Sequence, residues 1–225
     1  VVVLLAWVMA GCGGPGRVLL DVPVWGAATG PLVFDVEGGE VALDRAEVTF
    51  SDLRLEEPAT DGATARLARA VWPAAWAHPG HDYPGDVAGE LLGTYTIDLS
   101  APEVELGVAA CYDGAYATGR VALSGTAAVL EGTFTPDGGA AAPFRFEVAA
   151  EQEIVDLPFA VTMDAASPPA AVGVGFDPEA ALAFVDWSAP DTDGDGVLTT
   201  ADAIYDTTVV FGVVSTATWS LEGRE

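Results

Sequence analysis

Ala46-Glu47-Val48-Thr49-Phe50-Ser51-Asp52-Leu53-Arg54-Leu55 alternates apolar and polar residues, the period of a strand buried on one face. The alternation slips once. Val48 and Phe50 share one face of the pleat, while Leu53 and Leu55 share the other. A two-residue period cannot send both pairs into one core unless a residue is inserted, so a β-bulge is expected near Ser51-Asp52.

Outward from this stretch the chain reads as many short strands. Arg17–Val24, Pro31–Val36 and Val41–Leu43 precede it; Leu91–Leu99, Val104–Cys111, Ala115–Leu123, Ala127–Phe134, Phe144–Ala149 and Ile154–Met163 follow. Gly38-Gly39, Asp113-Gly114, Ser124-Gly125 and Asp137-Gly138-Gly139 punctuate them. Turn signals at roughly eight- to twelve-residue intervals argue for an antiparallel sandwich or barrel rather than alternating βαβ units, and the expected fold is all-β: an antiparallel β-sandwich with a few short helices. One helix is expected over Ala63–Trp72. Another runs from an Asp177 N-cap, with Pro178 in the first turn, to Trp187. A third is expected over Thr200–Tyr205, before a closing strand within Val209–Leu221.

With 225 residues, 51% of them hydrophobic, the chain can bury a sizeable core despite a formal net charge of −26. All eight basic residues are arginine, against 34 acidic ones. A surface with no basic patch repels phosphate backbones, so nucleic acid is not an expected partner.

Val1 to Ala10 is an apolar run ending in small residues, too short to span a bilayer and of signal-peptide length. Met9-Ala10-Gly11-Cys12 resembles the lipobox of bacterial lipoproteins. The resemblance implies acylation of Cys12, a membrane anchor, and an exported protein in the periplasm or at the cell surface. Residues 1–12 are then a signal remnant, 13–16 a flexible tether, and 17–225 a single domain. With Cys12 carrying lipid, Cys111 has no disulfide partner, and a buried, inert thiol is expected.

Asp191-Thr192-Asp193-Gly194-Asp195-Gly196-Val197-Leu198-Thr199-Thr200-Ala201-Asp202 places oxygen donors at positions 1, 3, 5, 9 and 12 of a twelve-residue loop. Gly196 occupies the sixth position, where such a loop turns sharply. This is the ligand order of an EF-hand-type calcium loop, with Asp191, Asp193, Asp195, the Val197 carbonyl, Thr199 and Asp202 as ligands. Asp in place of Glu at the last position resembles the calcium loop of bacterial dockerin modules. A dockerin carries two such loops and this chain has one, so calcium is expected to be structural and cohesin binding is not inferred.

The two histidines lie in Trp76-Ala77-His78-Pro79-Gly80-His81-Asp82-Tyr83-Pro84-Gly85-Asp86. Pro-Gly at the centre favours a type II turn, which brings its end residues within about 7 Å. Imidazoles that close can share a transition metal, with Asp82 or Asp86 completing the shell. A rigid surface loop whose histidines bond backbone groups is the plainer reading. The aromatics of loop 72–86, Trp72, Trp76 and Tyr83, suggest a platform for a glycan or an exported protein; core packing accounts for them as well.

Glu47-Val48-Thr49-Phe50-Ser51-Asp52-Leu53-Arg54-Leu55 resembles the strand ending in Ser-Asp-x-Arg-Leu of the methanobactin-binding periplasmic protein family. Those are exported β-sandwich copper proteins that work beside a dihaem partner. The resemblance favours copper over zinc at His78 and His81.

There is no Gly-x-Ser-x-Gly elbow, phosphate loop or dinucleotide fingerprint, and an enzyme is not expected. The sequence therefore predicts an exported, lipid-anchored binding protein with a structural calcium site and a copper site at the His-Pro-Gly-His turn. The alternative is a cell-surface recognition or adhesion module that uses loop 72–86 to hold a glycan or a protein.

Overall fold

Strand β3 (Gly39–Glu56) is 18 residues long and pairs along both edges with different neighbours in its two halves. A computed structural model describes residues 18–58, 87–189, 191–202 and 205–224. Within them β3 is preceded by β1 (Leu19–Ala28) and β2 (Val33–Val36), and followed by β4 (Val87–Asp98), β5 (Val104–Tyr112) and β6 (Gly114–Leu123). Next come β7 (Thr126–Pro136), β8 (Ala142–Ala149), β9 (Gln152–Met163), β10 (Ala171–Phe176), β11 (Leu198–Thr199) and β12 (Trp219–Arg224). The first half of β3 pairs with β7, and its second half lies between β4 and β6.

The change of partner coincides with the slip in sequence period. The register of β3 against β4 shifts between Phe50 and Asp52, the bulge expected from the alternation. Its effect is the predicted one: Val48, Phe50, Leu53 and Leu55 are all fully buried. Ser51, set aside by the bulge, donates its hydroxyl to the Ala122 carbonyl at 3.1 Å. A second shift, between Leu43 and Arg45 against β7, keeps Leu43 and Ala46 inside together. Two segments that read as separate strands are therefore one.

The hydrogen-bonded order is β11-β8-β7-β3-β4-β5-β1-β10-β12, with β2 on β3 and β9 beyond β6. The β4–β5 junction is narrow, with only Gly89↔Cys111 and Glu90↔Ala110 paired. Beyond this corner the sheet folds over, and β12 packs on β9 without pairing to it. Phe50 of β3 meets Trp219 of β12 edge-on at 6.4 Å, and Phe176 of β10 meets the same indole at 5.1 Å. The result is a sandwich-like all-β fold around one hydrophobic cluster.

Two pairings depart from the expected antiparallel pattern: β1–β10 and β11–β8 are parallel. Tight turns dictate antiparallel neighbours. These pairs are joined by long stretches of chain, which leave strand direction free.

The helical segments also differ from expectation. Helix α1 (Pro178–Leu182) starts at the Asp177 cap, whose carboxylate accepts the Glu179 and Ala180 N–H groups, but ends well before Trp187. Helix α2 (Tyr205–Val213) begins where the expected exit helix ends and occupies much of the expected closing strand. Valine-rich composition reads as strand, yet Tyr205, Val209 and Val213 recur every four residues and all are fully buried. Gly212 lets α2 lie directly on α1, because a Cβ there would overlap the Ala181 carbonyl. A 3₁₀ turn (Thr216–Thr218) then leads into β12, so only the last part of the expected strand is one. The expected helix at 63–72 lies outside the described residues. Among those described, no helix is long and apolar enough to cross a membrane.

Cys111 is fully buried, and desolvation of its thiolate pushes its pKa up to about 12. Native protein at pH 8 should therefore yield one fewer titratable thiol by aromatic disulfide reagent than the same protein in denaturant. Equal counts in both states would show that Cys111 is accessible.

Candidate metal centre

The acidic loop is fastened at both ends before its carboxylates are considered. At its entrance Trp187 stacks on Phe134 (centroids 4.8 Å apart, 22° between planes) and meets Phe144 edge-on at 5.2 Å. Tyr205, the first residue of α2, donates its hydroxyl to the Ala189 carbonyl at 3.0 Å. Near its exit, Leu198 and Thr199 form β11 and pair with Phe144 and Arg145 on the outer edge of β8. The Thr200 hydroxyl reaches the Glu147 carbonyl at 3.4 Å. This short strand covers backbone groups of β8 that would otherwise face solvent.

Between these anchors the aspartates fold the backbone around themselves. Asp191 accepts the N–H groups of Gly194 and Gly196, both at 2.7 Å. Asp193 accepts that of Asp195 at 3.1 Å, and Asp195 that of Val197 at 2.8 Å. Gly196, at the sixth position, has φ +87°, so the sharp turn falls where the sequence expects it. Ligand oxygens of Asp191, Asp193 and Asp195 all lie within 4.8 Å of one another. Two oxygens bound to one Ca²⁺ at about 2.3–2.6 Å each can stand up to about 5 Å apart, so the three carboxylates fit a single ion of that size.

Asp202 is 1% exposed and differently engaged. One oxygen accepts the N–H and hydroxyl of Thr192, at 2.8 and 2.6 Å. The other accepts those of Thr199, at 2.8 and 3.3 Å. The last loop position thus ties the second position to the ninth. Thr192 is a residue that the ligand pattern alone does not single out, because its role is to hold Asp202. Thr199, expected as a ligand, uses its N–H and hydroxyl on the same carboxylate.

The electrostatics follow from these bonds. The Gly196 and Gly194 N–H groups hold Asp191 below the usual carboxylate range. For Asp193 the Asp195 N–H acts in the same direction. Desolvation, the neighbouring Asp195 charge and the hydrogen bond to Asp191 outweigh it, and the pKa is raised. A cation at the centre of the three would relieve this repulsion. The Thr192 hydroxyl and the Thr199 and Thr192 N–H groups draw Asp202 down to about 2.

The Asp202 shift has a definite sign. Its pKa is lower folded than unfolded, where about 3.9 applies, so its contribution to stability is complete above pH ~4. It is lost as pH falls from there through about 2. In chelator, the stability gap between wild type and Asp202→Asn should therefore narrow on acidification across that window. A constant gap would mean that the charge of Asp202 does not hold the loop.

His78, His81, loop 72–86 and Cys12 lie outside the described residues. In the segment that resembles the copper-protein family, Asp52 accepts the Gly93 N–H at 3.3 Å. Arg54 reaches Asp52 at 3.7 Å and Glu153 at 3.6 Å. These polar residues bridge neighbouring strands.

No protein-family model, curated protein or solved structure matches the chain.

Proposed function

We propose that the chain is an exported, lipid-anchored binding protein whose segment between α1 and α2 is fastened by one structural calcium ion. The observation that carries the calcium reading is the convergence of Asp191, Asp193 and Asp195 within 4.8 Å, on a loop anchored to the β8 edge. Hard carboxylate oxygens suit a hard cation, and the Val197 carbonyl and water can supply further ligands. The ion would hold together carboxylates that otherwise repel, and through β11 it would secure the sheet edge. No catalytic role is assigned to it.

The test is calorimetric titration at moderate salt, where the diffuse attraction of a −26 surface is screened. One Ca²⁺ per chain is expected, and its loss in Asp191→Ala with Asp193→Ala. Wild-type binding that survives this double substitution would place calcium elsewhere or nowhere specific.

The binding function itself is proposed for His78 and His81, joined by Pro79-Gly80 and holding copper, on the strength of the turn and of the resemblance at Glu47–Leu55. Metal analysis of protein purified in excess calcium checks it: one copper per chain, absent from His78→Ala with His81→Ala. If the double variant retains copper, recognition of a glycan or protein by Trp72, Trp76 and Tyr83 becomes the reading to pursue.

A further inference from the structure

Phe184, just past α1, and Phe211, in α2, form the one exposed aromatic pair among the described residues. They are 50% and 56% exposed, with ring centroids 5.0 Å apart at 90°. The adjoining residue Ala183 lines a cleft of about 280 Å³. Its other walls are Asp35, Val36 and Glu37 of the β2–β3 hairpin, and Glu179, one helical turn before Ala183. None of the side chains of Asp35, Glu37 and Glu179 forms an ion pair or hydrogen bond among the described residues, and no described arginine lines the cleft. The exposed Phe184 thus follows directly on a wall of a cleft whose lining includes three acidic residues without a described ion-pair partner.

We propose that the cleft and the ring pair form one docking surface for a basic amphipathic segment of a partner protein. An apolar side chain of that segment packs on Phe184 and Phe211, while flanking Arg or Lys residues reach Asp35, Glu37 and Glu179. Charge complementarity selects this occupant. A second copy brings −26 of like charge. The described arginines of this chain, Arg45, Arg54, Arg120, Arg145 and Arg224, are each already ion-paired. An anionic membrane surface is repelled for the same reason. The rings make the surface selective, since carboxylates alone attract any polycation loosely, whereas the apolar contact requires shape. The inference does not depend on calcium or on the histidines.

The probe is a fluorescent peptide of alternating Arg and Leu, followed by anisotropy at about 0.15 M salt, where the screening length is about 8 Å. The comparison peptide has Ser for every Leu and the same charge. The Arg–Leu peptide is expected to bind the wild type at least tenfold more tightly than the Arg–Ser peptide. Phe184→Ser with Phe211→Ser should abolish that preference. Asp35→Asn, Glu37→Gln and Glu179→Gln together should weaken Arg–Leu binding about tenfold or more. The same charge change made on other strands, by Asp21→Asn, Glu105→Gln and Asp156→Asn, should leave it within about twofold. No binding of the Arg–Leu peptide, equal binding of the two peptides, or equal loss from the two carboxylate triples would each overturn the proposal. Melting temperatures of all variants identify loss that follows from unfolding; the carboxylate triple changes exposed side chains only and keeps the test decisive.

Discussion

Phe146→Ala is expected to lower the free energy of unfolding by about 3–5 kcal/mol, the range for deleting a buried aromatic ring. Phe146 is fully buried on β8 and touches three other rings: Phe144 at 5.0 Å, Trp187 at 5.9 Å and Tyr205 at 5.3 Å. Phe144 lies on the same strand, Trp187 at the entrance of the acidic loop, and Tyr205 at the start of α2. The ring therefore fills the junction between the sheet and the segment from α1 to α2. Its neighbours are held by backbone pairing on one side and by the Tyr205–Ala189 bond on the other, so they cannot collapse fully into the void. Denaturant titration should show a lower midpoint with an unchanged slope. Phe146→Leu should recover part of the loss. Phe211→Ala removes a ring of equal size that is 56% exposed, and should cost no more than about 0.5 kcal/mol. Comparable losses at the two positions would contradict the packing described for β8 and α2.

That junction is also where the sequence was least legible. The strand-rich fold and the bulge at Ser51-Asp52 could be read because both are properties of local period. The slip between Phe50 and Leu53 has one geometric remedy, and the chain adopts it. The turn of the acidic loop was legible for a similar reason: a glycine is needed at a fixed place, and Gly196 has φ +87°.

What the sequence concealed depends on residues distant along the chain. Val209 and Val213, both fully buried, lie on a helix that packs on α1 and β8, an environment that composition cannot announce. The pairing of Leu198–Thr199 with Phe144–Arg145 joins segments more than fifty positions apart and leaves no local pattern. The sequence offers Asp202 as the last ligand of the loop, whereas its bonds to Thr192 and Thr199 are visible only once the loop has closed.

Saturation with calcium is expected to raise the melting temperature by about 3–6 °C, and a chelator should reverse the change. Calcium loops of extracellular modules bind at about 10⁻⁴ to 10⁻³ M. Ligand at roughly tenfold above Kd stabilises the native state by about 1.4 kcal/mol, and a chain of this size gains about 2–4 °C per kcal/mol. Asp195→Ala should abolish the response. Its metal-free stability should change little, because among the described residues the exposed carboxylate accepts only the Val197 N–H. Magnesium should substitute poorly, since it holds its water more tightly and demands a tighter octahedral shell. The link to Phe146 supplies a second readout. If the ring holds the loop against β8, Phe146→Ala should weaken calcium binding as well as the fold, although the residue offers no ligand. Calcium affinity unchanged in Phe146→Ala would show that the loop closes on its ion without help from the sheet. An unaltered melting temperature of wild type in saturating calcium would remove the metal reading, because an ion that binds only the native state must stabilise it.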